Sequence, residues 1–268
     1  MTTQEWLDEA YSQLERAGIP SARLDADLIL SHTLLKPRIH LHAHGDDTLS
    51  PSHQEIADAR LSLRLDRVPV AYIIGHKYFY GRSFEVSPSV LIPRPESETI
   101  IELVKDLPTD SLSSLVDVGT GSGCLGITLK LEIPDLEVDL LDYSESALSV
   151  ASKNAKRLSA DVNLLKSDLL ADYSESADII VANLPYVDTS WQRSPETDHE
   201  PALALFAADR GLELIYKLID QAAGKQKTSS YLVLEADPVQ HDDIVTKAAD
   251  SGFELIKKQD YIVVLSKI

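Results

Sequence analysis

The fold of this chain is decided by the stretch Val116-Asp117-Val118-Gly119-Thr120-Gly121-Ser122-Gly123-Cys124-Leu125-Gly126. An apolar segment runs into a glycine-rich turn, and a helical pattern follows. Glycine lets the backbone turn tightly and approach a ligand closely at the N-terminus of a helix. The stretch therefore predicts a buried strand, a ligand-binding loop and a helix, in that order.

Apolar segments and helical patterns alternate along the rest of this region. Strands are predicted at Leu112–Val118, Val138–Leu141, Val162–Leu165, Ile179–Ala182, Tyr231–Glu235, Glu254–Ile256 and Tyr261–Leu265. Helices are predicted at residues 122–131, 144–158, 207–223 and 239–250. Such alternation predicts an α/β fold with a seven-stranded, mostly parallel, Rossmann-like sheet covered by helices on both faces. The last two strands are too close in sequence for a crossover, so we expect an antiparallel hairpin.

The N-terminal part of the chain has the pattern of a small helical bundle. Helices are predicted from Thr3 to Gly18, from Ser21 or Asp25 to Leu35, and from after Ser50-Pro51-Ser52 to about Leu65. Val70 to Ile74 and Tyr78 to Val86 are predicted to be extended, with Gly81 as the turn between them. We expect a helical domain at residues 1–68, a linker hairpin at 69–88 and the α/β domain at 89–268.

The composition narrows the class of protein. Of 268 residues, 44% are apolar and 25% are charged, as in an ordinary globular protein. No apolar run approaches the ~18 residues that span a bilayer, and residues 1–6 lack the layout of a signal peptide. We therefore expect a cytoplasmic protein. Cys124 is the single cysteine, which excludes an internal disulfide and a zinc cluster built from thiolates.

The charge is unevenly distributed. The net charge is −18, and residues 85–268 carry −16 of it. Such an acidic surface repels phosphate backbones, so we expect no direct binding of nucleic acid. It suits a basic protein partner or a small molecule, although acidity that serves only solubility is an equally good explanation.

Polar residues follow the next strands at the point where each strand ends. Asp142 and Tyr143 follow the second strand, and Asp168 with Leu169 follows the third. Ligands of open α/β sheets bind at this carboxyl edge, where one carboxylate can accept ribose hydroxyls and the other an adenine amino group. An N-cap for the following helix is the alternative role of Asp142.

The fourth strand ends at Asn183-Leu184-Pro185-Tyr186. The Asn side chain and the next backbone carbonyl offer two acceptors for a planar NH2 group, and the aromatic ring can cover one of its faces. A loop that needs Asn and Pro only for its turn is the alternative. The glycine loop, both aspartates and this motif occupy four successive strand ends, which favours a binding site.

The glycine loop alone leaves two cofactors open. Gly121 to Gly126 formally match the GxGxxG dinucleotide fingerprint, but enzymes that bind S-adenosylmethionine use a similar loop. Asp117 just before the loop favours S-adenosylmethionine. The absence of GK[ST] excludes a P-loop.

With these residues in view, the chain resembles the HemK/PrmC-type family of release factor glutamine methyltransferases over nearly its whole length. The resemblance rests on 91–98 (Leu-Ile-Pro-Arg-Pro-Glu-Ser-Glu), 116–123, Ser167-Asp168, 183–186 and Glu200-Pro201. It implies a class I methyltransferase domain behind a helical N-terminal domain that recognises the protein substrate. It also implies S-adenosyl-L-methionine as cofactor and a peptide chain release factor as partner, with no membrane. A monomer is the default.

The resemblance assigns roles to residues of this sequence. The expected cofactor-binding residues are Asp117, Gly119, Thr120, Gly121, Ser122, Gly123, Asp142, Tyr143, Asp168, Leu169 and Asn183. The expected catalytic and substrate-binding residues are Asn183, Leu184, Pro185 and Tyr186, and Arg94 and Glu200 are expected at the substrate rim. Leu184 stands where the family has a first proline, Leu169 stands where relatives are often aromatic, and the terminal hairpin at 257–268 looks shorter.

The expected chemistry needs orientation more than a base. A carboxamide nitrogen is a poor nucleophile, and in-line transfer of a methyl group from a sulfonium depends on proximity. Asn183 Oδ1 and the Leu184 carbonyl would accept the two N–H groups and aim the nitrogen at the methyl carbon. The alternatives are an amino methyltransferase for adenine or cytosine, a nicotinamide oxidoreductase, and a non-catalytic binding protein with the same fold.

Two other features favour structural roles. His40, His42 and His44 alternate, but they lie in a helical region with no acidic or thiol ligand of suitable spacing until Asp46, so we predict a solvated helix end rather than a metal site. Cys124 follows the glycine loop near a helix N-terminus, where a thiol pKa can fall. We expect it to be a small packing residue.

Overall fold

A computed structural model of the chain describes residues 1–108 and 112–268. The described chain divides into two compact units. The first contains Met1–His76 together with Ser194–His199, and the second contains Lys77–Arg193 and Glu200–Ile268.

The first unit is helical. Its helices are α1 Thr3–Arg16, α2 Ala22–Leu34, α3 Arg38–Ala43, α4 Pro51–Leu65 and α5 Val70–Ile74. The start of α1 is fixed by a capping box, in which Thr2 Oγ1 accepts from the Glu5 backbone and the Glu5 carboxylate accepts from the Thr2 backbone. The apolar faces of the helices meet in one core around Trp6, Leu14 and Ile29. The predicted helical bundle is confirmed.

The prediction that Val70 to Ile74 are extended is wrong, because these residues form α5. Three β-branched residues favour a strand by propensity, but tertiary packing overrides so weak a preference. Pro69 precedes the first turn and Gly75 closes the helix in the left-handed region at φ 77°, while Ala71 and Ile74 become buried.

A two-stranded hairpin follows, β1 His76–Phe79 and β2 Arg82–Glu85, with Gly81 in its turn; from Lys77 onward it belongs to the second unit. Its main sheet is built from β3 Ser114–Val118, β4 Glu137–Asp142, β5 Asn163–Lys166, β6 Ile179–Ala182, β7 Tyr231–Glu235, β8 Phe253–Gln259 and β9 Ile262–Lys267. Its helices are α6 Glu98–Lys105, α7 Cys124–Glu132, α8 Glu145–Leu158, α9 Glu213–Lys225 and α10 His241–Asp250.

The strand order of the main sheet is β5-β4-β3-β6-β7-β9-β8. All pairs are parallel except those of β9, which runs antiparallel to β7 and β8. Every residue of β6 is buried, as expected for a central parallel strand covered on both faces. The predicted seven-stranded, mostly parallel sheet and its terminal hairpin are confirmed.

The order of the strands positions the site. The chain moves from β3 outward to β4 and β5, and then returns to the other side of β3 for β6 and β7. Such a reversal opens a crevice at the carboxyl ends of the strands. The loops after β3, β4, β5 and β6, where the sequence predicts its binding residues, all begin at this edge.

Candidate active site

One cavity of about 650 Å³ lies at the carboxyl edge of the sheet in the second unit. Its wall includes most of the predicted site residues: Arg94, Gly119, Thr120, Gly121, Ser122, Asp142, Tyr143, Asp168, Leu169, Asn183, Leu184 and Pro185. Four predicted residues are outside this wall: Asp117, Gly123, Tyr186 and Glu200. The cavity therefore brings together residues that are up to about a hundred positions apart in the sequence.

The glycine loop is shaped by its backbone. Gly119, Gly121 and Gly123 have φ values of 72°, 55° and 80°, in the region that favours glycine. The N–H groups of Gly119 and Thr120 both donate to the Leu141 carbonyl, which pins the loop to β4. A Cβ on Gly119 would lie 2.9 Å from Leu184 Cδ2, so the loop touches the Asn183–Tyr186 segment directly.

Asp117 lies under the loop rather than on the cavity wall. Its Oδ2 accepts hydrogen bonds from Thr120 Oγ1 at 2.6 Å and from the Gly126 N–H at 2.9 Å. Full burial raises the pKa of this carboxyl to about 6, although both hydrogen bonds favour its charged form. Asp117 therefore holds the loop and the start of α7 in place.

Asp142 does lie on the wall, at the end of β4. Its Oδ2 accepts from the Gly121 N–H at 2.9 Å and its Oδ1 from the Ser144 N–H at 2.8 Å. Burial raises the pKa of this carboxyl despite these bonds. The Tyr143 N–H is a third backbone donor to Asp142, and since a carboxylate has about four acceptor sites, about one remains for a hydroxyl group of a ligand. The N-cap of α8 is Ser144, whose side chain accepts from the Ala147 N–H.

Asp168 and Leu169 follow β5 on the same wall. Asp168 is partly exposed and pairs with Lys217 Nζ at 2.6 Å. Leu169 is buried, and its φ of 55° is unusual for a residue with a branched side chain. The neighbouring backbone is held by the Leu170 N–H, which donates to Gln221 Oε1 at 2.7 Å. The Leu169 side chain gives this end of the cavity an apolar wall.

The Asn183–Tyr186 segment is tied down at both ends. Asn183 Nδ2 donates to Ser97 Oγ at 3.0 Å, and Tyr186 Oη donates to Glu235 Oε1 at 3.3 Å. The Tyr186 ring packs against the apolar core, and burial raises the pKa of its hydroxyl. Leu184 is only 4% exposed where it meets the glycine loop.

Arg94 and Glu200 form one unit beside the cavity. Arg94 Nη2 lies 2.5 Å from Glu200 Oε1, and Glu200 Oε2 accepts from the Ile92 N–H at 3.1 Å. Since Arg94 lines the cavity and the Glu200 side chain is buried behind it, Glu200 fixes Arg94 rather than facing a ligand itself.

Two residues of this region were not among the predicted site residues. Ser97 lines the cavity and is buried, and its Oγ donates to Glu235 Oε2 at 2.6 Å. Glu235 is the last residue of β7 and is 1% exposed. A carboxylate at the end of the apolar run Tyr231–Glu235 is the same signal that identified Asp142, and it could have found Glu235 in the sequence.

The remaining candidates have structural roles. His42 Nε2 lies 3.1 Å from Asp27 Oδ2, and His40 stacks on His44 at the end of α3. Within residues 1–108 and 112–268 there is no group of side chains that could hold a metal ion. Burial raises the pKa of the Cys124 thiol to about 12, so it is a packing residue rather than an activated nucleophile. No helix of the described chain is long and apolar enough to cross a membrane.

The fold and the cavity define a methyltransferase-like protein. Residues 100–200 match the methyltransferase small domain family, and residues 5–75 match the PrmC N-terminal domain. The chain also superposes on the structure of the Thermus thermophilus 16S rRNA N2 G1207 methyltransferase in complex with AdoMet and guanosine. The TM-score is 0.56 at 18% identity, over 72% of this chain and 49% of that one, which shows the shared fold.

Full-length relatives identify the family. The release factor glutamine methyltransferase of Koribacter versatilis is 39% identical over 250 residues, which cover 89% of each chain. The Deinococcus radiodurans protein of the same name is 33% identical over 263 residues, covering 97% of this chain and 95% of that one. The chain belongs to the release factor glutamine methyltransferase family. The predicted resemblance is confirmed, and the alternatives of an amino methyltransferase for nucleic acid and of a non-catalytic binding protein are not favoured.

Proposed function

We propose that this protein transfers a methyl group from S-adenosyl-L-methionine to the side-chain amide nitrogen of a glutamine in a peptide chain release factor. The observation that carries the proposal is that Asn183 and Leu184 line the same cavity as the glycine loop and Asp142. A ligand held by the loop would therefore lie within reach of an amide held by Asn183. Relatives that carry this activity in their names match the chain over almost its whole length.

The residues on the wall fit the cofactor. Ser122 Oγ is buried, with no hydrogen-bond partner in the described part of the chain, and it borders the cavity. The remaining acceptor site of Asp142 suits a ribose hydroxyl, and Leu169 offers apolar surface for an adenine ring. Bound there, the cofactor supplies an electrophilic methyl group on a sulfonium.

The protein's own contribution is orientation. Asn183 Oδ1 and the Leu184 carbonyl accept the two N–H groups of the substrate amide and turn its nitrogen toward the cofactor. Positive charge develops on that nitrogen during transfer, so both hydrogen bonds strengthen in the transition state. The nitrogen loses its proton after transfer, when the amide has become more acidic, so no side chain must act as a base beforehand.

We further propose that the N-terminal helical domain recognises the release factor. A glutamine in a loop offers little surface, whereas the helical unit presents Leu35 and Ile39, which are 84% and 77% exposed. Exposed apolar residues this close in sequence favour contact with a protein. The expectation of a monomer stays a prediction, which sedimentation of the purified protein would test.

The decisive experiment incubates the purified protein with labelled S-adenosyl-L-methionine and a purified release factor. We expect one methyl group on one glutamine, located by peptide mass spectrometry, and none after that glutamine is replaced by alanine. Parallel reactions contain tRNA, ribosomal RNA or duplex DNA instead. Transfer to a nucleic acid and not to the release factor would overturn the proposal.

A further inference from the structure

Glu235 is a buried carboxylate that the proposed reaction does not use. It ends β7 with 1% of its surface exposed, and two hydroxyl groups donate to it, Ser97 Oγ at 2.6 Å and Tyr186 Oη at 3.3 Å. Removing a carboxylate from water is costly, and two hydroxyl donors compensate only part of that cost. In its charged form such a group does not stabilise the folded state, which points to a role in function.

The hydrogen bonds of Ser97 have a fixed direction. A serine hydroxyl carries one proton, and the short contact to Glu235 Oε2 uses it. Toward Asn183 the same oxygen can then only accept, and it accepts from Nδ2 at 3.0 Å. An amide that turned its Oδ1 toward Ser97 would place two acceptors against each other.

The direction of this chain decides what Asn183 offers to a ligand. With Nδ2 turned to Ser97, Oδ1 is the atom left for the cavity, and Oδ1 is an acceptor. A substrate NH2 group needs an acceptor. The opposite orientation would present an NH2 group to the substrate's own NH2 group and repel it.

The same carboxylate also holds the other end of the motif. Asn183 is connected to Glu235 through Ser97 and by a weaker direct side-chain contact, and Tyr186 donates to Glu235 directly. The turn between them is thereby fixed at both ends against β7. The Leu184 carbonyl, the second expected acceptor, lies within this span.

We propose that Glu235 and Ser97 are positioning residues that orient the Asn183 side-chain amide, and so make the site an acceptor for a primary carboxamide. The inference rests on the proposed function for its kinetic readout. Neither residue has to touch the substrate for this role. Glu235 has no part in proton transfer.

Ionisation of Glu235 gives the inference a pH signature. Burial raises the pKa of this carboxyl to about 7, despite side-chain hydrogen bonds from Ser97, Tyr186 and, more weakly, Asn183. The neighbouring ionisable groups are Glu96, which raises this pKa, Tyr186, and the Cys124 thiol. A protonated Glu235 could donate to Ser97 and release the fixed direction, so turnover should rise as the pH passes through about 7.

The first test compares Glu235→Gln with the wild type. Glutamine can donate to Ser97 and allow Asn183 to flip, so we expect kcat to fall roughly 10- to 100-fold, as for a misaligned reacting group. The affinity for S-adenosyl-L-methionine should stay within about twofold, and the rise of kcat near pH 7 should disappear. Asp178→Asn is the matched control, because Asp178 precedes β6 at the opposite edge of the sheet, where it accepts from Ser113 and Ser114.

The second test keeps the carboxylate and changes the hydroxyl. We expect Ser97→Ala to lower kcat, though less than Glu235→Gln does, because Asn183 keeps its direct contact with Glu235. Ser97→Thr should keep kcat near that of the wild type, because threonine carries the same donor. The double variant should be no worse than Glu235→Gln alone, since Ser97 acts on Asn183 in concert with that carboxylate. The comparison of Ser97→Ala with Ser97→Thr also tests the inference if Glu235→Gln does not fold.

A spectroscopic test separates the inference from the proposed function. The side-chain NH2 resonances of Asn183, assigned by their loss in Asn183→Asp, should shift with a midpoint near pH 7 in the wild type and in Ser97→Thr. They should not shift in Glu235→Gln, and they should shift less in Ser97→Ala, where only the direct contact with Glu235 remains. Absent methyl transfer by the wild type would refute the proposed function alone, whereas equal activity and equal titrations in all variants would overturn the inference.

Discussion

The glycine loop after β3 and the Asn183–Tyr186 segment after β6 face one cavity, but they are held by different means. The loop is held by backbone groups: N–H donors bonded to the Leu141 carbonyl and to the carboxylates of Asp117 and Asp142. The Asn183–Tyr186 segment is held by side chains, through Ser97 and Glu235. Backbone bonds fix a shape, and side-chain bonds also fix which atom of an amide faces the ligand.

This difference separates two tasks of a transferase. A cofactor that is the same in every turnover can be bound by a rigid backbone cradle, because backbone N–H groups at a helix N-terminus cannot reorient. A substrate amide must be distinguished from other groups, and that needs a side chain with a defined donor and acceptor end. Substitutions in the glycine loop should therefore weaken cofactor binding, and substitutions in the Asn183–Tyr186 segment should slow methyl transfer.

The largest expected effect is that of Asn183→Ala. It removes one acceptor from the transition state, and loss of a comparable donor elsewhere lowers turnover about 10²- to 10³-fold. The affinity for S-adenosyl-L-methionine, measured by calorimetry, should change no more than a few-fold. The control is Asn163→Ala at the start of β5, where Asn163 donates to Asp139. Near-normal methyl transfer by Asn183→Ala would remove the distinction between the two regions.

The second effect concerns stability and pH. A buried carboxyl with a raised pKa stabilises the folded state only while it is protonated, so the contribution of Glu235 is complete below about 4.5 and is lost as the pH rises through about 7. Glutamine does not ionise. The free energy of unfolding of Glu235→Gln minus that of the wild type should therefore increase by roughly 3 kcal/mol as the pH rises from about 4.5 to about 7.

Urea unfolding at several pH values measures that difference. Asp117, whose pKa is raised to about 6, titrates in both proteins and cancels in the comparison. A difference that does not change with pH would show that Glu235 keeps an ordinary pKa.

A smaller effect is expected in the glycine loop. Gly119→Ala forces a Cβ into the left-handed region at φ 72° and to within 2.9 Å of Leu184 Cδ2. The backbone term alone costs about 1–2 kcal/mol, and we expect cofactor affinity to fall about tenfold. Gly224→Ala is the control, since that helical glycine has open space around it and alanine there should stabilise α9 by up to about 1 kcal/mol. Unchanged cofactor binding by Gly119→Ala would contradict the role of the loop.

The contact between the two regions can be measured by a double-mutant cycle. Leu184→Ala removes the side chain that an alanine at 119 would meet, so the double variant should recover part of the loss. Residues in contact commonly couple by about 0.5–3 kcal/mol, and we expect the low end because the backbone strain remains. Strict additivity of the two losses would show that the loop and the segment do not communicate through Leu184.

The smallest effect lies outside both regions, in the helical unit. Leu35 ends α2 in the left-handed region, which asparagine tolerates better than leucine, so Leu35→Asn should not lower stability. Together with Ile39→Ser it should raise the KM for the release factor a few-fold and leave the KM for a short glutamine peptide unchanged. Ile56→Ser on α4, where Ile56 is 45% exposed, is the matched control. Equal effects on both substrates would contradict a docking role.

The sequence predicted the sheet well because its information is local and strong. Central parallel strands are apolar throughout, and β6 and β7 therefore have the bounds that the pattern indicated. The glycines that follow β3 marked the position of the loop in the same way. Weak local signals were less reliable. The β-branched run in α5 suggested a strand until burial and its caps decided otherwise.

What the sequence determined by itself is that the glycine loop, Asp142, Asp168 and Asn183 lie at the carboxyl edge of the sheet, because each of them directly follows an apolar strand. Only the tertiary structure decided how they divide their tasks. Asp117 lies beneath the loop, Glu200 behind Arg94, and Tyr186 turns to Glu235 instead of the cavity. The physical reason is that hydrogen-bond direction depends on which donors and acceptors meet in space. Ser97 and Glu235 are 138 positions apart, and no local pattern brings them together.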